Sequence, residues 1–187
     1  MKIILASQSP RRKEILKDLG YSFLVVPSLY DEHIELANGI DQGVETLALE
    51  KAKSVQKNNP DAIIVAADTI VVLDGRILGK PKSKQEAIDM LIDLSGRAHE
   101  VKTGVCISSI NQDITFCETT KVYFKDLEDD SILNYVDSGK CMDKAGSYGI
   151  QECDFVDKIE GSYSNVVGLP KEKTKDILEF IRSESDC

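Results

Sequence analysis

Ser7, Ser9, Arg11, Arg12 and Lys13 crowd around Pro10, where a short apolar run gives way to a helical pattern. Ser9 suits the N-cap of that helix and Pro10 its first position. Three cations then fill the first turn, where the helix dipole favours carboxylates. Local preferences broken in this way tend to mark functional positions. A bound anion removes the conflict, because free backbone N–H groups, two hydroxyls and two guanidinium groups would converge on it. The plainer reading is a strand–helix turn with solvated arginines.

Asp68 is a second anomaly, set inside the near-continuous apolar run Ile63 to Leu73. An isolated buried carboxylate costs several kcal/mol. It must therefore be paired in a structural salt bridge, bind a metal or face a cleft. The cleft is the favoured reading, since strand interiors seldom hold an unused aspartate. Lys51 is a third. On a helix with Val44, Leu47, Ala48, Ala52 and Val55 it falls near the centre of the apolar stripe, while Lys53 points the other way. Lys51 either snorkels along the edge of that stripe or reaches an internal anion. Glu50 and Lys53 read as solvated.

Further groups are suggestive only in company. Glu32, beside Asp31 in an early loop, can supply a second carboxylate. Two carboxylates with phosphate oxygens are a common magnesium arrangement, although acidic pairs in loops are often simply solvated. Lys80 and Lys82 flank Pro81 and would seek phosphate. In the segment Asp143 to Gln151, Gly146 and Gly149 permit close backbone approach to a ligand. Gln151 both donates and accepts, as recognition of a base edge requires. That segment, and the similar Gly161 to Pro170, also read as ordinary turns. His99 is expected to be a structural hydrogen-bonding residue. No serine–histidine–acid or cysteine–histidine pattern stands out.

The elements that must position these groups alternate along the chain. Apolar patterning predicts a strand at about 2–6, a helix at about 10–19 closed by Gly20, and a strand at about 21–27. A helix follows at about 44–58, then a strand buried on both faces at about 62–73. Asp74-Gly75 predicts a hairpin returning through Arg76 to Leu78. Ser83-Lys84-Gln85-Glu86 is a capping box for a helix that Gly96 ends. Two β-like runs, about 99–110 and 114–125, flank a polar turn at Asn111 to Asp113. A helix at about 128–138 precedes a glycine-rich, irregular stretch over 139–170, longer than a compact domain normally needs. A last helix spans about 171–184. Interleaved strands and helices with hairpins predict an α/β fold with a mixed sheet, as one domain over residues 1–187.

Composition sets the outer bounds. The net charge is −9 and the isoelectric point about 4.8, which disfavours a nucleic-acid partner. No apolar run is long enough for a bilayer, so no membrane partner is expected, and the first residues lack a signal-peptide pattern. Five cysteines without a Cys-x-x-Cys predict reduced thiols in a cytoplasmic location rather than a zinc site. Two histidines exclude a multi-histidine metal site.

Taken together and in order, these segments resemble the Maf family of nucleotide pyrophosphatases, once described as septum-formation inhibitors. The resemblance runs from Ala6 to Pro170. It rests on Ser7-x-Ser9-Pro10-Arg11-Arg12, Asp31-Glu32, Glu50-Lys51-Ala52, Ala66-Ala67-Asp68-Thr69, Gly79-Lys80-Pro81, Leu94-Ser95-Gly96-Arg97 with Thr103-Gly104-Val105, the segments Asp143 to Gly146 and Tyr148 to Gln151, and Asn165 to Pro170. Glu152-Cys153-Asp154 and Cys141-Met142 depart from the family pattern beside the Asp143–Gln151 segment.

The resemblance implies an elongated mixed sheet with flanking helices and two lobes around a central cleft, similar to inosine-triphosphate pyrophosphatases. It implies hydrolysis of a nucleoside triphosphate to monophosphate and pyrophosphate with a divalent metal, Mg²⁺ or Mn²⁺, and a homodimer. Asp68 matches the family's proton acceptor, with Glu32 and Lys51 completing the expected catalytic set and Glu32 and Asp68 the expected metal ligands. Ser7, Arg12 and Lys80, together with Lys51, are expected to hold the triphosphate. Arg11, Thr69 and Gln151 match the specificity positions of the branch acting on dTTP and UTP. The alternatives are a pyrophosphatase for 7-methyl-GTP, inosine triphosphate or other modified nucleotides, and a nucleotide-sensing regulator of cell division without turnover.

Overall fold

Ile63–Leu73 is buried along most of its length and forms the long strand β3, with Asp68 and Thr69 as its two half-buried residues. A computed structural model of the chain describes residues 2–30 and 33–185. In chain order the elements are β1 (Ile3–Leu5), α1 (Pro10–Asp18), β2 (Phe23–Val25), α2 (Ile40–Gln56), β3, β4 (Arg76–Leu78), α3 (Lys84–Leu94), β5 (Ala98–Ser108), β6 (Asp113–Phe124), α4 (Asp129–Asp137), β7 (Val156–Glu160), α5 (Tyr163–Val167) and α6 (Lys171–Ser185). The seven strands form one sheet in the order β2-β1-β3-β5-β6-β7, with β4 paired to β3. β1 runs parallel to β2 and β3, whereas β4 on β3 and β7 on β6 are antiparallel. The fold is α/β with a mixed sheet and flanking helices, as the alternation of patterns predicted.

The chain divides into two compact units. The first comprises Met1–Asp68, Thr103–Glu118 and Gly168–Cys187, and the second Thr69–Lys102 and Thr119–Val167. In the first, Ile4, Ala6, Ile64 and Ala66 pack against Ala48, Ala52 and Val55 of α2. A Cβ on Gly104 would collide with the Val44 carbonyl, so α2, the helix that carries Lys51, lies directly against β5. In the second, Val71 and Leu73 meet Leu91 of α3, Val136 of α4 and the rings of Phe124 and Tyr148.

Local chemistry explains the boundaries. Asp74 (φ 49°) and Gly75 (φ 77°) both take the left-handed conformation that a tight hairpin requires. At α3 the Ser83 hydroxyl accepts from the Glu86 N–H at 3.1 Å, while the Glu86 carboxylate accepts from the Lys82 N–H at 2.7 Å, one residue earlier than a standard capping box. α2 starts at Ile40 rather than near 44, because Gly39 (φ 90°) opens it and the Asp41-Gln42-Gly43 that follow Ile40 carry no apolar period to read. β2 is three residues long, shorter than the apolar run suggested. The stretch 139–170 is not wholly irregular: it contains a 3₁₀ turn at Ala145–Ser147, β7 and the five-residue α5. β7 reads Val-Asp-Lys-Ile-Glu, whose apolar residues are three apart, so it lacks the alternation that identifies strands. Among the described residues no helix is long and apolar enough to cross a membrane.

Candidate active site

In the first unit, the Ser9 side chain caps α1 by accepting from the Arg12 N–H at 3.4 Å, and no acid occupies the first turn. The Ser7 hydroxyl, 8% exposed, accepts from the Ser9 N–H and from Arg12 Nη1, each at 3.2 Å. Arg12 Nε donates to the Gly168 carbonyl at 2.8 Å. The Arg12 guanidinium is thus tethered rather than solvated, and the Asn165–Pro170 segment supplies one of its anchors. Arg11 and Lys13 are half-buried beside it.

Register places the second group next to this one. Leu5 pairs with Val65, and the Ala6 N–H donates to the Val65 carbonyl at 2.8 Å. Ser7 therefore follows the carboxyl end of β1, and Asp68 lies three residues past the Val65 pairing, midway along the neighbouring parallel strand β3. From α2, Lys51 reaches in: its Nζ donates to Asp68 Oδ1 at 2.6 Å, with side-chain exposures of 8% for Lys51 and 14% for Asp68. The two anomalies of the sequence are each other's partner. Lys51 does not snorkel, and the salt bridge proposed as the plainer reading of Asp68 is present. Thr69, the next residue of β3, projects from the opposite face of the strand. Lys53, expected to be solvated, instead forms an ion pair with Asp113 at 2.6 Å.

The second unit holds the other expected residues. Lys80 is exposed and lines a depression of about 380 Å³ with Gly79, Lys82, Glu86, Met90 and Asp93. The Gly79 carbonyl accepts from the Gly146 N–H at 3.1 Å, which ties the Lys80 segment to the Asp143–Gln151 segment. Gln151 is exposed. Glu32 lies outside the described residues. Among the described residues no group of three or more His, Cys, Asp or Glu side chains gathers as a metal site.

Sequence reasoning expected His99 to be a structural hydrogen-bonding residue, as it is, but did not identify what it and its neighbours hold, the Gln151 segment. Tyr148 is 5% exposed, with its hydroxyl 2.7 Å from His99 Nε2. The Tyr135 hydroxyl accepts from the Gly149 N–H at 3.0 Å. Lys144, 6% exposed, forms ion pairs with Asp143 at 2.7 Å and Glu152 at 2.9 Å. An aromatic residue between two glycines was the available signal.

Burial pushes the Tyr148 phenol well above its ordinary range and the His99 imidazole down to about 4, so two neutral groups meet. His99 is structural in this respect, and its titration gives a stability prediction. Between pH 6.5 and about 4 the unfolded chain binds a proton that the folded chain refuses, so stability rises with pH across that window. The displacement corresponds to roughly 3 kcal/mol, fully felt below about pH 4 and absent above about pH 7. Urea unfolding across this range should show that slope, and His99→Gln should flatten it. An unchanged slope in the variant would contradict the assignment.

Fold and site together define an α/β protein with a tethered arginine beyond the carboxyl end of β1 and an internal lysine–aspartate pair on the adjacent parallel strand. Residues 2–181 match the family described as Maf-like protein. A Bacillus pumilus (strain SAFR-032) protein named dTTP/UTP pyrophosphatase is 48% identical over 180 residues, covering 95% of both chains. Proteins with the same name from Geobacillus sp. (strain WCH70) and Clostridium perfringens (strain SM101) are 47% and 45% identical, over 92% and 96% of this chain and 94% and 96% of theirs. The chain belongs to the Maf family.

Proposed function

We propose that this protein hydrolyses dTTP and UTP to the nucleoside monophosphate and pyrophosphate. The observation that carries the reading is the Lys51–Asp68 pair beside Ser7 and Arg12, in a chain whose relatives of 45–48% identity bear that activity in their names. Arg12, with the α1 N-terminus and the Ser7 hydroxyl, binds phosphate oxygens. Lys51 fixes the Asp68 carboxylate through Oδ1. Asp68 takes the proton from a water that attacks the α-phosphorus, and pyrophosphate leaves. Lys80 neutralises charge on the phosphate chain, and electrostatic stabilisation by the cations together with the metal would carry most of the barrier reduction. Arg11, Thr69 and Gln151 select the base.

A divalent cation fits the donor set. Asp68 presents a partly exposed carboxylate that accepts from Lys51 Nζ through Oδ1, and Mg²⁺ is commonly held by one or two carboxylates plus substrate phosphates. Asp68, with Glu32, would hold Mg²⁺ or Mn²⁺. When bound, the ion supplies Lewis-acid stabilisation of phosphoryl charge. Five cysteines without a Cys-x-x-Cys pair support a cytoplasmic location. A homodimer is the assembly proposed, to be checked by light scattering.

The test is a substrate panel with product analysis. UTP and dTTP with Mg²⁺ should yield monophosphate and pyrophosphate in equal amounts. Diphosphate with orthophosphate as first products would identify a phosphatase instead. UTP and dTTP should exceed CTP and dATP by at least about tenfold in kcat/KM, or roughly 1.4 kcal/mol, because a site built for the uracil edge leaves polar groups unpaired against other bases. 7-Methyl-GTP as the best substrate would overturn the base assignment.

A further inference from the structure

Gln151 stands on a segment that ought to be loose, with glycines at 146 and 149. It is not loose. The Glu152 N–H donates to the Gly149 carbonyl at 2.9 Å, which closes a turn with Ile150 and Gln151 at its centre. On the entering side, the Gly149 N–H is held by the Tyr135 hydroxyl, and Tyr148 is locked into the core by its ring and its hydroxyl together. The Tyr148 ring meets Phe124 edge-on with centroids 4.7 Å apart and His99 at 5.4 Å, while its hydroxyl bonds His99. On the leaving side, the buried Lys144 ammonium holds the Glu152 carboxylate. Just before Tyr148, Ser147 is fully buried at φ 63°. That left-handed conformation is strained for a non-glycine residue and persists only where the surroundings over-determine it.

Apolar filling of the core does not by itself call for this contact. A phenylalanine would fill the Tyr148 position without burying a hydroxyl or engaging a histidine whose Nδ1 has no hydrogen-bond partner among the described residues. What the hydroxyl–imidazole contact adds is a fixed position for the backbone three residues before Gln151. We propose that Tyr148 and His99 are positioning residues for base selection, holding the Gly149–Glu152 turn so that the Gln151 amide meets the base already oriented. The proposal rests on the reading of Gln151 as the base-recognising group. An amide on a fixed turn loses less freedom on binding than one on a mobile loop, so the benefit appears as affinity and discrimination rather than as chemistry.

The test compares Tyr148→Phe, Gln151→Ala and the double variant, with UTP and CTP as substrates and thermal unfolding as the fold check. Tyr148→Phe should raise KM for UTP about tenfold with kcat within about twofold, the pattern of lost binding rather than lost chemistry. It should also lower the UTP-to-CTP preference about fivefold, and should cause no further loss when Gln151 is already alanine, because the two act as one unit. A Tyr148→Phe enzyme with a lowered melting temperature but an unchanged KM and preference would overturn the proposal, since a purely structural role predicts that result. An unchanged preference in Gln151→Ala would overturn the reading of Gln151 itself and the proposal with it. His99→Gln, which keeps a polar partner for the hydroxyl, should retain more of the preference than His99→Leu. Equal preference in those two variants would also count against the proposal, and this comparison stands even if Tyr148→Phe fails to fold.

Discussion

Asp68→Asn is expected to lower kcat by roughly 10²–10⁴ with little change in KM, the range for loss of a proton-transfer group. The substitution preserves shape. The asparagine carbonyl can still accept from Lys51 Nζ, which now lies 2.6 Å from Oδ1, so α2 and β3 keep their contact. What disappears is the group able to take a proton from water, together with the negative charge. Arg12, tethered through Nε to Gly168 and through Nη1 to Ser7, is untouched, so the phosphate binding proposed for it is expected to persist. Steady-state kinetics on UTP with Mg²⁺, beside a melting curve, decides the matter. Activity within about twofold of the parent would remove Asp68 as proton acceptor. A raised KM at constant kcat would make it a binding residue only.

The parts of this molecule that were legible in its sequence are those where local chemistry and global structure agree. Ser9-Pro10 caps and starts α1 because both preferences are local. Asp74-Gly75 turns because two left-handed residues in succession suit a tight hairpin. Asp68 and Lys51 each announced themselves by standing in apolar surroundings, yet neither announced the other. Their contact depends on which face of α2 lies over β3, and that is set by packing across 17 residues of separation. The same limit hid His99 and Tyr148, 49 residues apart, and the Arg12 bond to Gly168, 156 residues away. β7 and α5 were missed for another reason. They are short, and only neighbours supply the pairing that makes them regular: Val122 opposite Ile159, and Asn165 fixed by its amide to the Val101 carbonyl and the Thr120 hydroxyl.

Lys51→Met should separate stability from catalysis. Lys51 lies on the buried stripe of α2 among Leu47, Ala48, Ala52 and Val55, so methionine fits the space and the helix. The Asp68 carboxylate, with 14% of its side chain exposed, then loses the ammonium at 2.6 Å. Removing one member of a buried pair typically costs about 3–5 kcal/mol, because the remaining charge is left without compensation. Urea unfolding at neutral pH should show that loss, accompanied by near-complete loss of turnover, since Asp68 is no longer held in place. Combining Lys51→Met with Asp68→Leu removes both charges, and replacement of a buried pair by apolar residues is often neutral or stabilising. The double variant should therefore recover the parent's stability to within about 1 kcal/mol, while activity stays absent. A single variant that loses less than about 1 kcal/mol would mean that water already screens the pair. A double variant that regains turnover would end the case that this pair performs the chemistry. Stability restored without activity is the outcome expected of a charge pair that the fold tolerates because the reaction uses it.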